Sequence, residues 1–158
     1  LTLHRPANVD EEKILVKMID EIIINSRNLP VLFPMHPRTA KIFNRLEINH
    51  KRLHIIEPLP YLEFNFLVER SKVVITDSGG ITEETTVMGV PCMTLRDNTE
   101  RPETILLGTN ELLGTNPDAI KPAFKKLFAG KWKQGSVPEL WDGKTSKRII
   151  SHLIKLFS

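Results

Sequence analysis

Short apolar runs alternate with segments of helical periodicity along almost the whole chain, and this alternation restricts the folds open to the sequence. The apolar runs are short and continuous, as strands buried on both faces are. They are Leu1–Leu3, Val31–Met35, Leu53–Ile56, Val73–Thr76, Cys92–Leu95 and Glu111–Leu113. Repeated strand–helix–strand units imply right-handed crossovers and a parallel sheet covered by helices on both faces.

The segments between these runs carry the signals of helices. Asp10–Ile24 has apolar residues at positions 14, 15, 18, 19, 22 and 23, the stripe of an amphipathic helix. Pro37 suits the first turn of another helix because its ring fixes φ. Further helices are predicted over Tyr61–Arg70, Gly80–Met88, Pro117–Phe128 and Ser146–Phe157. The pattern predicts an α/β, Rossmann-like three-layer lobe with a parallel sheet of about six strands.

Length and composition exclude several classes of protein. The 158 residues suit one domain or one lobe of a larger protein. The net charge of +3 is mild and spread out, and no block of Lys and Arg with interleaved aromatics predicts nucleic-acid binding. No apolar run approaches the ~20 residues of a membrane span, and no signal peptide is visible, so we expect a cytoplasmic protein without membrane partners.

Ligands of open parallel sheets bind beyond the carboxyl ends of the strands, and the sharpest motif of this chain lies at such an end. The fourth predicted strand is followed by Asp77, Ser78, Gly79 and Gly80 and then by a helix. Two glycines let an anion approach the backbone, and the first-turn N–H groups attract negative charge. Ser78 can donate its hydroxyl to a phosphate, and Glu84 can accept from ribose hydroxyls. The alternative is a tight turn in which Asp77 or Ser78 caps the helix.

The segment after the fifth predicted strand, residues 96–103, is too charged and irregular to be packing. Beside a diphosphate, Arg101 would make charge-assisted, bidentate contacts. The alternative is a solvated turn with local ion pairs. Residues 96–103 follow the strand that comes directly after the two glycines, and this position favours the functional interpretation.

Other chemistries find little support. The five histidines have no metal-ligand spacing, so no metal is expected. Ser78 lacks the G-x-S-x-G context of hydrolases. The single cysteine, Cys92, lies in an apolar stretch and is interpreted as a core residue.

Several segments are combined in an order and spacing that identify a family. They are His4-Arg5, Pro34-Met35-His36-Pro37-Arg38, Asp77-Ser78-Gly79-Gly80-Ile81 with Glu83-Glu84, and Arg96-Asp97 with Thr99-Glu100-Arg101-Pro102-Glu103. In them the chain resembles the UDP-N-acetylglucosamine 2-epimerase family over nearly its whole length. The resemblance covers only the C-terminal half of a glycosyltransferase-B-type fold of two lobes. With a chain that opens inside a strand at Leu1, it leads us to expect an N-terminal lobe upstream, with residues 1–158 as the UDP-binding lobe.

The resemblance implies a substrate and binding residues. Family members interconvert UDP-GlcNAc and UDP-ManNAc by eliminating UDP to a glycal and adding it back, without NAD or another cofactor. Phe64 and the main chain near Leu59 match the uracil-binding segment, Ser78–Gly80 the diphosphate cradle, and Glu84 the ribose-binding carboxylate. UDP, a UDP-N-acetylhexosamine, the missing lobe and a second copy in a homodimer are the partners implied.

The resemblance also implies catalytic residues. His4 matches a histidine of the active-site cleft, and Arg101 an arginine near the nucleotide and the reacting sugar. Arg5 and His36 are candidates for a second, activating site. Pro6 departs from the family, where many members continue with charged residues. The family's base lies in the other lobe, so this chain alone is expected to be inactive.

Three alternatives stay open at this level. A hydrolysing 2-epimerase, which releases UDP and ManNAc, has the same motifs. A nucleotide-sugar glycosyltransferase lobe has a similar fold, although the run from Thr99 to Glu103 argues against it. A non-catalytic nucleotide-binding module would also fit the isolated chain.

Overall fold

The structure, a computed structural model, describes residues 1–157, except for the side chain of Arg38. Its strands are β1 (Val31–Pro34), β2 (Leu53–Ile56), β3 (Val74–Thr76), β4 (Cys92–Thr94) and β5 (Asn110–Leu112). All pair in parallel, β1 with β2 in one sheet and β3, β4 and β5 in that order in another. The α/β class and the parallel pairing agree with the sequence prediction.

The prediction of one sheet with about six strands is wrong: within residues 1–157 the sheets have two and three strands. The predicted strand Leu1–Leu3 lies between β1 and β3 and forms one isolated bridge, from Thr2 to Thr76. On its other side the Leu1 amine donates to the carbonyl oxygen of Leu32 at 2.8 Å. The pairing stops because the next N–H groups, those of His4 and Arg5, donate to the Asp77 side chain.

The helices follow the sequence pattern with two additions. They are α1 (Pro6–Val9), α2 (Glu12–Asn25), α3 (Pro37–Leu46), α4 (Tyr61–Glu69), α5 (Gly79–Met88), α6 (Pro102–Leu106), α7 (Ile120–Phe128), preceded by a 3-10 turn (Pro117–Ala119), and α8 (Thr145–Phe157). The sequence analysis missed α1 and α6, which are too short to show a period. Gly89, with φ of 68°, ends α5 in the left-handed conformation that favours glycine.

Helices cover both faces of the strands, as predicted for three layers. On one face α2, α3 and α7 pack against β1, where the rings of Phe33 and Phe43 meet edge to face at 5.4 Å. On the other face a smaller cluster joins Val68 of α4 to Val90 and Cys92. Burial raises the pKa of the Cys92 thiol to about 11, which fits a packed core residue rather than a nucleophile.

The last helix, α8, has no buried residue along its described length. Its apolar side chains are nevertheless numerous, and they repeat at helical spacing on one side. The stripe consists of Ile149, Ile150, Leu153, Ile154 and Phe157, each about half exposed or more. Among the described residues, no helix is long and apolar enough to cross a membrane.

Candidate functional site

A groove at the carboxyl ends of β2 and β3 brings together most of the residues expected to bind a nucleotide. It is lined by Leu59, Tyr61, Phe64, Ser78, Gly80, Ile81 and Glu84. The loop after β2 and the first turns of α4 supply one wall, and the loop after β3 with the first turns of α5 supplies the other. Residues far apart in sequence thus meet because parallel strands end at the same edge.

The start of α5 is free of the side-chain cap that the alternative interpretation requires. Ser78 occupies the N-cap position with extended backbone, but its side chain makes no capping hydrogen bond. Its backbone N–H donates to the Thr76 hydroxyl at 3.0 Å. The Asp77 carboxylate is directed away, towards His4 and Arg5. The Ser78 hydroxyl and the N-terminal end of α5 are therefore placed to meet an anionic ligand.

The fold does not require glycine at either Gly79 or Gly80. A Cβ on Gly80 would meet no atom within 4 Å, and one on Gly79 would make only ordinary contacts at 3.6 and 3.7 Å. Neither residue has a positive φ. Alanine would stabilise a helix by about 0.5–1 kcal/mol relative to glycine. Packing within this chain therefore does not explain the two glycines.

Glu84 lies on α5 with its side chain towards α4. Burial raises the pKa of its carboxyl group, although hydrogen bonds with Tyr61 and Asn65 act in the opposite direction. A carboxylate held by two neighbouring donors at the rim of a groove is suited to accept from paired hydroxyl groups. Tyr61 and Asn65 were missed by the sequence analysis; their positions in α4, three residues before Phe64 and directly after it, were the available signal.

Asp77 joins the first segment of the chain to the site. It is fully buried, and its carboxylate lies 2.9 Å from Nδ1 of His4. It also accepts from the backbone N–H of Arg5 at 2.9 Å and from the side chain of Asn8 at 3.1 Å. His4 is thus held by the residue that directly precedes Ser78, and its own side chain is half exposed.

Two arginines flank the start of α5. Arg96, almost fully buried, donates to both carboxylate oxygens of Glu100, at 2.9 and 2.7 Å, and an NH group of Arg96 lies 3.7 Å from where a Gly79 Cβ would be. Arg101 pairs instead with Glu83 of α5. Of the two arginines, Arg96 therefore lies beside Gly79. Its position directly after the predicted strand Cys92–Leu95 could have identified it. The role expected for Arg101 stays a prediction.

The residues suggested for an activating site lie at the same edge. Arg5 donates from Nε to the carbonyl oxygen of Asp77 at 3.0 Å, and His36 is exposed directly before α3. Their role in a second site stays a prediction. In the part of the chain that is described, no group of three His, Cys, Asp or Glu side chains could hold a metal ion.

An apolar cavity of about 410 Å³ lies at the opposite end of the strands. Its lining includes Leu1, Val31 and Val74, at the amino ends of the strands, and it has few polar groups. Because ligands of parallel sheets bind at carboxyl ends, the groove at α5 remains the candidate site.

The sequence and the fold of this chain are similar to those of known proteins. The sequence model of the UDP-N-acetylglucosamine 2-epimerase family matches residues 1–154. The chain belongs to this family.

Individual 2-epimerases show the extent of the similarity. The UDP-N-acetylglucosamine 2-epimerase of Methanocaldococcus jannaschii is 41% identical over 160 residues, which are 95% of this chain and 42% of that protein. The UDP-2,3-diacetamido-2,3-dideoxy-D-glucuronate 2-epimerase of Pseudomonas aeruginosa is 39% identical, over 98% of this chain and 44% of that protein. The chain therefore spans less than half the length of these 2-epimerases.

Solved 2-epimerase structures have the same fold. The M. jannaschii UDP-GlcNAc 2-epimerase in complex with UDP-GlcNAc and UDP superposes with a TM-score of 0.83 at 37% identity, covering 98% of this chain and 44% of that one. The Neisseria meningitidis enzyme bound to UDP-GlcNAc gives a TM-score of 0.81 at 30% identity, covering 98% and 43%.

Proposed function

We propose that this chain is the UDP-binding lobe of a non-hydrolysing UDP-GlcNAc 2-epimerase. The observation that carries the proposal is the pair Gly79 and Gly80 at an uncapped helix start, where the fold needs no glycine. The diphosphate lies over Ser78–Gly80, the ribose on Glu84, and the uracil against Phe64 and the main chain near Leu59. Family membership and the UDP and UDP-GlcNAc in the similar structures support this placement.

The geometry suits the departure of UDP. In the proposed reaction a proton leaves C2, the C1–O bond breaks, and its electron pair goes to the β-phosphate oxygen, leaving a C1–C2 double bond. Preorganised N–H groups of α5 and the nearby guanidinium groups of Arg96 and Arg101 stabilise the charge that develops on the diphosphate. UDP stays in the groove and adds back while a proton returns to the other face of C2, so no redox cofactor is needed.

The exposed apolar face of α8 is an argument for a second lobe in the full-length protein. Leu153, Phe157 and their apolar neighbours form a stripe that lacks a buried residue in this chain. The similar 2-epimerases are more than twice as long as the chain. We propose that the part of the protein that they have in addition covers this stripe, closes the groove and supplies the base for C2.

A binding experiment tests the ligand assignment. Calorimetric titration of UDP and of inorganic pyrophosphate into the chain is compared with Glu84→Ala and with a control, Glu69→Ala, which removes an exposed carboxylate of α4. We expect Glu84→Ala to weaken UDP binding at least about 10-fold, the order of one or two hydrogen bonds to a charged group, and to leave pyrophosphate binding unchanged. Equal loss for both ligands, or for neither, contradicts a ribose role.

An activity experiment tests the reaction. The two-lobed protein is incubated with UDP-GlcNAc in D₂O, and the products are identified by NMR. We expect UDP-ManNAc with deuterium at C2, and no exchange with residues 1–158 alone, because proton removal needs a positioned base. Release of free ManNAc and UDP would identify the hydrolysing form. Exchange by the isolated chain would place the base in this lobe.

A further inference from the structure

The buried carboxylate of Asp77 is surrounded by hydrogen-bond donors from the segment that carries His4. Its oxygens accept from the backbone N–H groups of His4 at 3.0 Å and Arg5 at 2.9 Å, and from Nδ2 of Asn8 at 3.1 Å. In addition, Nδ1 of His4 lies 2.9 Å from Oδ1. Asp77 is completely buried, whereas the His4 side chain is 48% exposed. The carboxylate therefore holds one edge of the ring and leaves the other open.

The orientation of this cluster is determined by the surrounding groups. Nδ2 of Asn8 donates both to Asp77 and to the carbonyl oxygen of Leu95 at 2.9 Å, which fixes the Asn8 amide. The charged groups facing Asp77 include the guanidinium of Arg5, bound to its carbonyl oxygen, and that of Arg96. The hydrogen bond to Glu100 chiefly raises the pKa of Arg96, and the charge of Asp77 adds to this shift. A carboxylate oxygen accepts hydrogen bonds, so each of the backbone and amide donors is matched to the Asp77 side chain.

We propose that Asp77 is a positioning residue that accepts the Nδ1–H of His4 and so presents unprotonated Nε2 to the cleft. The proposal rests on the proposed function and on the expectation, from the family resemblance, that His4 lines the active-site cleft. A carboxylate on Nδ1 fixes the tautomer and the orientation of the ring, as it does for histidine in other proton-transferring sites. Because Asp77 precedes Ser78, the same residue couples the position of His4 to the start of α5.

The first experiment needs no activity, and a substitution serves only to assign the signal. Two-bond ¹⁵N–¹H NMR spectra of the chain, at a pH where the ring is neutral, report which nitrogen of His4 is protonated, and His4→Gln assigns the signal. We expect the Nδ1–H tautomer for His4. A predominant Nε2–H tautomer overturns the proposal, whatever reaction the protein catalyses.

The second experiment uses the two-lobed protein and separates positioning from folding. Asp77→Asn places an amide among donors, so we expect kcat to fall about 10²–10⁴-fold, the range of general acid–base catalysis, while KM changes less than about threefold. Combined with His4→Gln, Asp77→Asn should cause no further loss, because it acts through His4. The control is Asp118→Asn, which removes a surface carboxylate paired with Lys17. Multiplicative losses in the double variant overturn the proposal.

The two experiments fail in different ways. If the two-lobed protein has no 2-epimerase activity, the proposed function is wrong, and the tautomer of His4 still decides the contact with Asp77. If Asp77→Asn does not fold, shown by circular dichroism, the tautomer in the unaltered chain remains the deciding measurement.

Discussion

Arg96 binds Glu100 through both carboxylate oxygens directly beside Gly79. The bond with Arg96 lowers the pKa of Glu100 to about 2, so the carboxylate is charged throughout the physiological range. A fixed negative charge thus lies close to the helix start where we place the diphosphate. It holds Arg96 in place and at the same time opposes an incoming anion.

Glu100→Gln tests which of these effects dominates. An interaction between exposed charges is worth about 0.2–1 kcal/mol, so we expect the variant to bind UDP up to about 5-fold more tightly at low salt. Screening should reduce the difference as salt is added. Calorimetry of this variant, with Glu139→Gln as the control for loss of an exposed carboxylate, measures the effect. Weaker binding would show that Glu100 serves mainly to orient Arg96.

The titration of Glu84 predicts a pH dependence of UDP binding. Because burial raises its pKa, the carboxyl group protonates at a higher pH than an ordinary glutamate and then loses acceptor capacity. UDP affinity should therefore fall as the pH decreases through this raised pKa. Glu84→Gln should remove this part of the profile, and comparing the two proteins cancels the protonation of UDP itself. Parallel profiles would contradict a contact between Glu84 and the ligand.

The same shift predicts the sign of a stability effect. A raised folded-state pKa means that the charged carboxylate of Glu84 opposes folding above its unfolded-state pKa. Glu84→Gln should accordingly have a Tm at neutral pH no lower than that of the unaltered chain. A clearly lower Tm would assign Glu84 a structural role.

Gly108 is a glycine that the fold does require. A Cβ there would lie 2.4 Å from the Thr86 hydroxyl and 2.6 Å from the carbonyl oxygen of Thr104. Gly108→Ala should therefore destabilise the chain by about 1–3 kcal/mol, the usual cost of overpacking. Urea denaturation followed by circular dichroism measures it. An unchanged midpoint would mean that α5 and α6 move apart freely.

The local elements of this fold could be predicted from the sequence, and the contacts between them could not. The runs that became β2 and β4 and the helix Tyr61–Glu69 are visible as apolar patterns with clear ends. The failure of Leu1–Leu3 to become a strand depends on Asp77, more than 70 residues away, which takes the next N–H groups. Periodicity contains no information about such a competitor.

For the candidate site, too, local features could be predicted from the sequence and contacts between distant residues could not. The glycines and Glu84 were predictable because their chemistry is local to one strand end. The contacts of Arg96 and Asp77 were not, since the partners of a charged residue beside a motif are known only from the structure. The role that the sequence analysis expects for Arg101 stays a prediction, and in the structure its side chain pairs with Glu83 of α5.

The most direct test of the central claim is UDP binding to Gly80→Ala, measured together with thermal unfolding. A Cβ at this position meets no atom of the chain, so Tm should be unchanged or higher, as alanine favours the helix. If the diphosphate lies on the first turn of α5, the added methyl group should weaken UDP binding at least about 10-fold, the effect of losing 1.4 kcal/mol. Unchanged affinity in a protein of unchanged stability would contradict the placement of UDP over Ser78–Gly80.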